Sequence, residues 1–154
     1  MGRPDPNAML LSMETASRIF PTEPGEAAPA IMVVEDEAVV LQVISLLLAS
    51  QGFHVLSAQG QDEAWALHQA HSGKIRLLLT DMRLRQGSGV ELGRKLSAAR
   101  PGISIIYMSG YPLKDFQAGH ALMDEAVFLA KPFLIETFMK LIGKEFGPGT
   151  AVSP

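Results

Sequence analysis

"IRLLLTDMRLRQGSG", residues 75–89, is the stretch on which the reading of this chain turns: an aliphatic run delivers one carboxylate, Asp81, into a polar loop holding Gly87 and Gly89. A carboxylate at the mouth of a buried strand is costly unless another group pairs with it. Its partners must lie elsewhere in the chain, at the ends of other apolar runs.

Four further runs have the same character: "AIMVVE" (30–35), "FHVLSA" (53–58), "ISIIYM" (103–108) and "AVFLA" (126–130). Short, continuous apolar runs suit strands covered on both faces. Between them the spacing predicts helices over 37–50, 60–72 and 89–99, a short one over 114–123, and a last one over 133–146. The first carries an inner stripe of Val40, Val43, Ile44 and Leu47. Its further apolar residues, including Val39, Leu46 and Leu48, suit either packing on a second side or a partner surface, with packing favoured slightly. Ala64, Leu67 and His68 share one side of the second helix, and Ile135, Phe138, Leu141 and Ile142 form the stripe of the last. Strand and helix thus alternate five times. Such alternation predicts a doubly wound α/β domain of five parallel strands joined by right-handed crossovers. In open sheets of this kind ligands bind beyond the carboxyl ends of the strands, where strand order reverses.

The 154 residues fit one domain, placed at 30–146. Residues 1–29, with Pro4, Pro6, Pro21, Pro24, Gly25 and Pro29, read as a flexible tail or linker around "MLLSMETASRIF", and 147–154 as a second tail. A net charge of −3 supplies no field for a nucleic-acid backbone, so direct nucleic-acid binding is not expected. The absence of cysteine excludes disulfides and thiolate metal sites and agrees with a cytoplasmic location. No signal peptide or membrane-length apolar run is present.

The strand ends bring together Glu35 and Asp36 after the first run, Asp81 after the third, Ser109 after the fourth and Lys131-Pro132 after the fifth. Three neighbouring carboxylates repel one another unless cations neutralise them, and Lys131 supplies only one positive charge. An oxygen-only donor set with few carboxylates suits Mg2+. A carboxylate held beside Mg2+ and an ammonium can act as nucleophile in phosphoryl transfer, giving an aspartyl phosphate.

"VVEDE", "LLLTDM", "YMSGYP" and "FLAKPF" occur in the order and with the separations of receiver domains of two-component response regulators, which residues 30–145 resemble. The resemblance implies a flavodoxin-like fold with strand order 2-1-3-4-5, and a phosphorylation-controlled switch rather than a turnover enzyme. Asp81 would accept phosphate from a phosphohistidine on a histidine kinase or phosphotransfer protein. Glu35, Asp36, Asp81 and the carbonyl of Arg83 would form the Mg2+ site, Glu35 mainly through water. Lys131 would pair with Asp81 and then with the phosphoryl group. Ser109 and Phe128 would be the switch pair, and Lys131-Pro132 a cis bond. Arg83 and Tyr111 occupy the positions that overhang the phosphoryl group and would shield it from water. A phosphorylation-dependent dimer is left open. The loop departs from the family pattern in carrying Leu84-Arg85 where many members have Met-Pro. The lead-in "SRIFPTEPGEAAPAIMVVEDE" is similar to the junction before a carboxyl-terminal receiver in hybrid histidine kinases.

Other readings are weaker. A phosphohydrolase of the haloacid-dehalogenase type needs an acid two positions after its nucleophile, where Arg83 stands. A receiver reduced to a docking module would not need the complete set of acceptor, acidic pair, hydroxyl and lysine. The glycines lack the spacing of an ATP or dinucleotide loop. His54, His68, His71 and His120 read as packing or solvated residues, and Trp65 as helix-to-sheet packing.

Overall fold

The computed structural model describes residues 29–110 and 127–146, with side chains as far as residue 142. Tyr111, His120, the helix expected over 114–123 and both tails lie outside the described residues. In chain order the elements are β1 (Ala30–Val34), α1 (Ala38–Ser50), β2 (His54–Ala58), α2 (Gln61–Ala70), β3 (Ile75–Asp81), α3 (Gly89–Ala99), β4 (Ser104–Ser109), β5 (Val127–Ala130) and α4 (Ile135–Phe146). The five strands form one parallel sheet in the order β2-β1-β3-β4-β5. This is the expected doubly wound α/β architecture.

Two cores explain why the strands are apolar throughout. Ile31, Val33, Leu77, Leu79, Ile106 and Met108 pack on one face with Leu41, Ile44 and Leu48 of α1 and Phe138 and Ile142 of α4. Met32, Val34 and Leu78 pack on the other with Ala64 of α2 and Leu92 and Leu96 of α3. Alternate residues of each central strand therefore enter opposite cores, and all five residues of β1 are buried. Trp65 packs against the second core, with the Lys95 ammonium 4.7 Å from its ring centroid.

The stripe expected on α1 is out of phase. Leu41, Ile44 and Leu48 are buried, whereas Val43 and Leu47 are exposed, as are Val39 and Leu46. In "AVVLQVISLLLAS" nearly every position is apolar, so spacing could not tell which side met the sheet. Packing on a second side is not found: Leu48 is buried with Leu41 and Ile44 on the core side, while Val39 and Leu46 face outward because the sheet offers α1 a single side.

Register sets the rim level. Val34 lies beside Thr80, Asp81 beside Met108, and Ser109 beside Ala130, so the residues following β1, β3, β4 and β5 emerge at one edge. The loop after β3 returns tightly to α3, which Ser88 caps by accepting the Glu91 N–H at 3.3 Å. Gly89 opens that helix because nothing larger fits: a Cβ there would sit 1.7 Å from the Asp81 carbonyl oxygen. Gly102 differs, having a positive φ of 92° and open space around it.

Gly89→Ala should therefore cost about 3 kcal/mol through forced displacement of the β3 terminus. Gly102→Ala should cost about 1 kcal/mol, from its left-handed backbone alone. Urea denaturation of both variants checks the order, and equal losses would contradict the packing described for Gly89.

Candidate functional site

β1, β3 and β5 each deliver one charged side chain to the same point. The Lys131 ammonium donates to Glu35 Oε2 at 2.6 Å and to Asp81 Oδ2 at 2.9 Å. These residues are separated by 96 and 50 positions in the chain. Glu35 is the more deeply placed carboxylate, at 1% exposure, and its Oε1 also accepts the Glu37 N–H at 3.4 Å. Asp36 Oδ2 accepts the backbone N–H of Arg85 at 2.9 Å. One carboxylate oxygen from each of Glu35, Asp36 and Asp81 lies within 4.8 Å of the others. Three carboxylates of this spacing around one ammonium leave negative charge uncompensated, which fits a divalent cation bound through oxygen.

The charges disturb one another in definite directions. Burial raises the Glu35 pKa above the ordinary carboxylate value and the Asp81 charge adds to this, while the Lys131 hydrogen bond opposes both and loses. For Lys131 burial acts to lower the pKa, but the hydrogen bonds to Glu35 and Asp81 and their charges outweigh it, and the net shift is upward. The ammonium is thus held charged at neutral pH.

The backbone fixes the acceptor. The Asp81 carbonyl accepts the Thr80 hydroxyl at 3.0 Å, the Met82 N–H donates to the Met108 carbonyl, and the Gly89 N–H donates to the Met82 carbonyl. The intervening loop is held from α2, where Gln61 Oε1 accepts the Ser88 N–H at 3.0 Å. Gly87, with φ 93°, lies so close to Gln61 that a Cβ would collide with it. Arg83 is exposed and forms an antiparallel bridge with Ser88.

Ser109 is buried at the end of β4, and its carbonyl accepts the Lys131 N–H at 2.8 Å, which ties the β4 and β5 termini together. Lys131-Pro132 is cis. Phe128 is half-buried on β5, 6.0 Å from the Tyr107 ring, and packs with Met82 just after the acceptor.

Of the expected site residues, Glu35, Asp36, Asp81 and Lys131 share one cup, while Ser109 and Arg83 lie on the same rim. Two contributors escaped sequence reasoning. Arg85 supplies the amide that holds Asp36 and also places its Nε 3.9 Å from that carboxylate; the departure at Leu84-Arg85 was its only trace. Gln61 left no signal, since an amide at the start of a helix is ordinary. The histidines pack: Arg100 donates to His68 Nδ1 at 2.7 Å and to the His68, His71 and Gly73 carbonyls, and His54 stacks on His71.

Lys131→Met should leave Glu35 and Asp81 facing each other without a cation. The loss should be about 2 kcal/mol at pH 7, below the figure for a fully buried pair because Lys131 is 24% exposed. Because the Lys131 pKa is raised on folding, its stabilisation is complete below the ordinary lysine value and fades as pH rises through the higher folded one. The gap between variant and wild type should also narrow in acid as Glu35 takes up a proton. Denaturation curves across pH, without divalent cations, test this; a gap that stayed constant at both extremes would contradict it.

The model of the response regulator receiver domain family matches residues 31–143. The sensor kinase CckA of Brucella abortus is 28% identical over 106 residues, covering 69% of this chain and 11% of that protein. The cell cycle transcriptional regulator CtrA of Caulobacter vibrioides is 27% identical over 103 residues, covering 67% of this chain and 44% of that protein. The chain therefore spans less than half the length of either relative. Among solved structures, a response regulator receiver protein from Pseudomonas putida superposes with a TM-score of 0.65 at 32% identity, covering 77% of this chain and 98% of that one. Among the described residues no helix is long and apolar enough to cross a membrane. The chain belongs to the response regulator receiver domain family, whose members are phosphoacceptor signalling domains of two-component systems and not turnover enzymes.

Proposed function

We propose, from that membership, that this receiver domain takes a phosphoryl group from a phosphohistidine of a histidine kinase or phosphotransfer protein onto Asp81. The observation that carries the reading is the meeting of Asp81, Glu35, Asp36 and Lys131 in one cup. A carboxylate oxygen of Asp81 attacks phosphorus, the new O–P bond forms as the P–N bond to the donor imidazole breaks, and the leaving nitrogen keeps the electron pair. Lys131 pairs with Asp81 beforehand and with a phosphoryl oxygen afterwards. The side chains of Glu35, Asp36 and Asp81 and the carbonyl of Arg83 would hold Mg2+, which supplies charge neutralisation at the phosphoryl oxygens.

Ser109 then donates to a phosphoryl oxygen and Phe128 turns inward. The change passes to the sheet edge at β5 and α4, where it biases a partner, an attached domain or a second copy. Arg83 and Tyr111 shield the phosphoryl group from water. The domain acts in the cytoplasm, without touching nucleic acid directly.

Acetyl phosphate or phosphoramidate with Mg2+ should add one phosphoryl group by intact-mass measurement, and none to Asp81→Asn or after chelation of the metal. A full-length gain in Asp81→Asn would refute the acceptor. Decay of the phosphorylated state should be faster in Arg83→Ala and in Tyr111→Ala; unchanged or slower decay in both would remove the shielding role.

A further inference from the structure

Gln61 opens α2, yet its side chain serves the loop that leaves β3. A buried amide is costly without a partner. Gln61, at 9% exposure, has one in the Ser88 N–H, which its Oε1 accepts at 3.0 Å. The loop answers in kind. The start of a helix leaves N–H groups in need of acceptors, and Gly60 has no side chain to supply one. The Gln61 N–H instead donates to the Gln86 carbonyl at 3.5 Å. Between these two contacts Gly87 takes a φ of 93° and passes against the Gln61 side chain, where a Cβ would collide. Helix start and loop are interlocked over residues 86–88.

The same loop reaches the acidic cup. The Arg85 N–H donates to Asp36 Oδ2 at 2.9 Å, and Arg83 lies opposite Ser88 in an antiparallel bridge. The Arg85 guanidinium adds little to the hold on Asp36, being 3.9 Å away and 77% exposed. Residues 85–87 are exposed, so their shape depends on such attachments rather than on burial. We infer, on the Mg2+ site proposed above, that Gln61 is a positioning residue for the divalent cation. By fixing residues 86–88 it sets where the Arg83 carbonyl and the Arg85 amide stand, and through that amide it orients the Asp36 carboxylate.

The acids differ in what holds them, and this makes the loop decisive. Glu35 and Asp81 are both gripped by the Lys131 ammonium, at 2.6 and 2.9 Å, whereas Asp36 is gripped by the loop. Loosening the loop therefore releases one acid and one carbonyl together and leaves the Lys131 pairs in place. Mg2+ demands a regular arrangement of oxygens and dehydrates reluctantly, so it tolerates little misplacement of its few protein ligands. Groups that orient those ligands from outside consequently weigh on affinity almost as much as the ligands do.

Mg2+ titration of the full isotope-labelled chain, followed by backbone amide shifts, measures affinity, and amide hydrogen exchange without metal measures the hold on the loop. Gln61→Ala removes the acceptor while keeping a good helix former at the position. In that variant the Ser88 and Arg85 amides should exchange faster. Mg2+ should bind about tenfold more weakly, the lower end of what losing a ligand-orienting group costs. The amide signals of Leu78 and Leu129, one in each core, should not change. Gln61→Glu keeps an accepting oxygen at the same reach, and should return both the Ser88 protection and, to within about twofold, the affinity. Unchanged affinity in Gln61→Ala, a loss accompanied by altered core signals or by an Arg85 amide that exchanges as in wild type, or a loss that Gln61→Glu does not reverse together with the protection, overturns the role of Gln61 alone. Failure of the wild-type chain to bind Mg2+ overturns the metal site, and the role of Gln61 with it.

Discussion

A single ammonium group holds two carboxylates that would otherwise repel, and the layout of the sheet follows from the need to bring them to it. Lys131 reaches Glu35 at 2.6 Å and Asp81 at 2.9 Å only because β1, β3 and β5 run parallel and end at one level. An antiparallel arrangement would send alternate strand ends to opposite edges. The apolar strands therefore do two jobs: they build the two cores, and they carry charge to a rim where it can be paired. The pairing is incomplete, since two cations, Lys131 and the exposed Arg85, face three acids. That residual negative charge fits a divalent cation bound through oxygen.

Around this centre the backbone is held by hydrogen bonds and close packing. Gly89 gives the Asp81 carbonyl the space that a Cβ would take, and Gln61 holds the loop from a neighbouring helix. Arg85 holds the Asp36 carboxylate by its amide. Ser109 and Lys131 are tied through a backbone hydrogen bond while the hydroxyl is carried by a buried residue at the sheet edge.

The helix that leaves the acidic pair has a different logic. α1 contributes Leu41, Ile44 and Leu48 to the core and leaves an apolar outer face, with no charge to solvate it. Among the described residues, its surface carries four of the large hydrophobic side chains that burial does not account for, Leu134 being another.

Much of the fold was legible in the residues themselves. Continuous apolar runs can be satisfied only by strands covered on both faces, and alternation with helical periods leaves few topologies besides a parallel doubly wound sheet. Asp81 stood out because a charge ending such a run demands a partner, and Lys131 and the Glu35-Asp36 pair were found by the same rule. What the tertiary structure alone decided was phase and contact. The inner side of α1 could not be read where nearly every position is apolar, because periodicity carries little information with so few polar residues to break it. The roles of Gln61 and Arg85 were equally hidden: each depends on a hydrogen bond between elements distant in sequence, and no local pattern records where a neighbouring loop will pass.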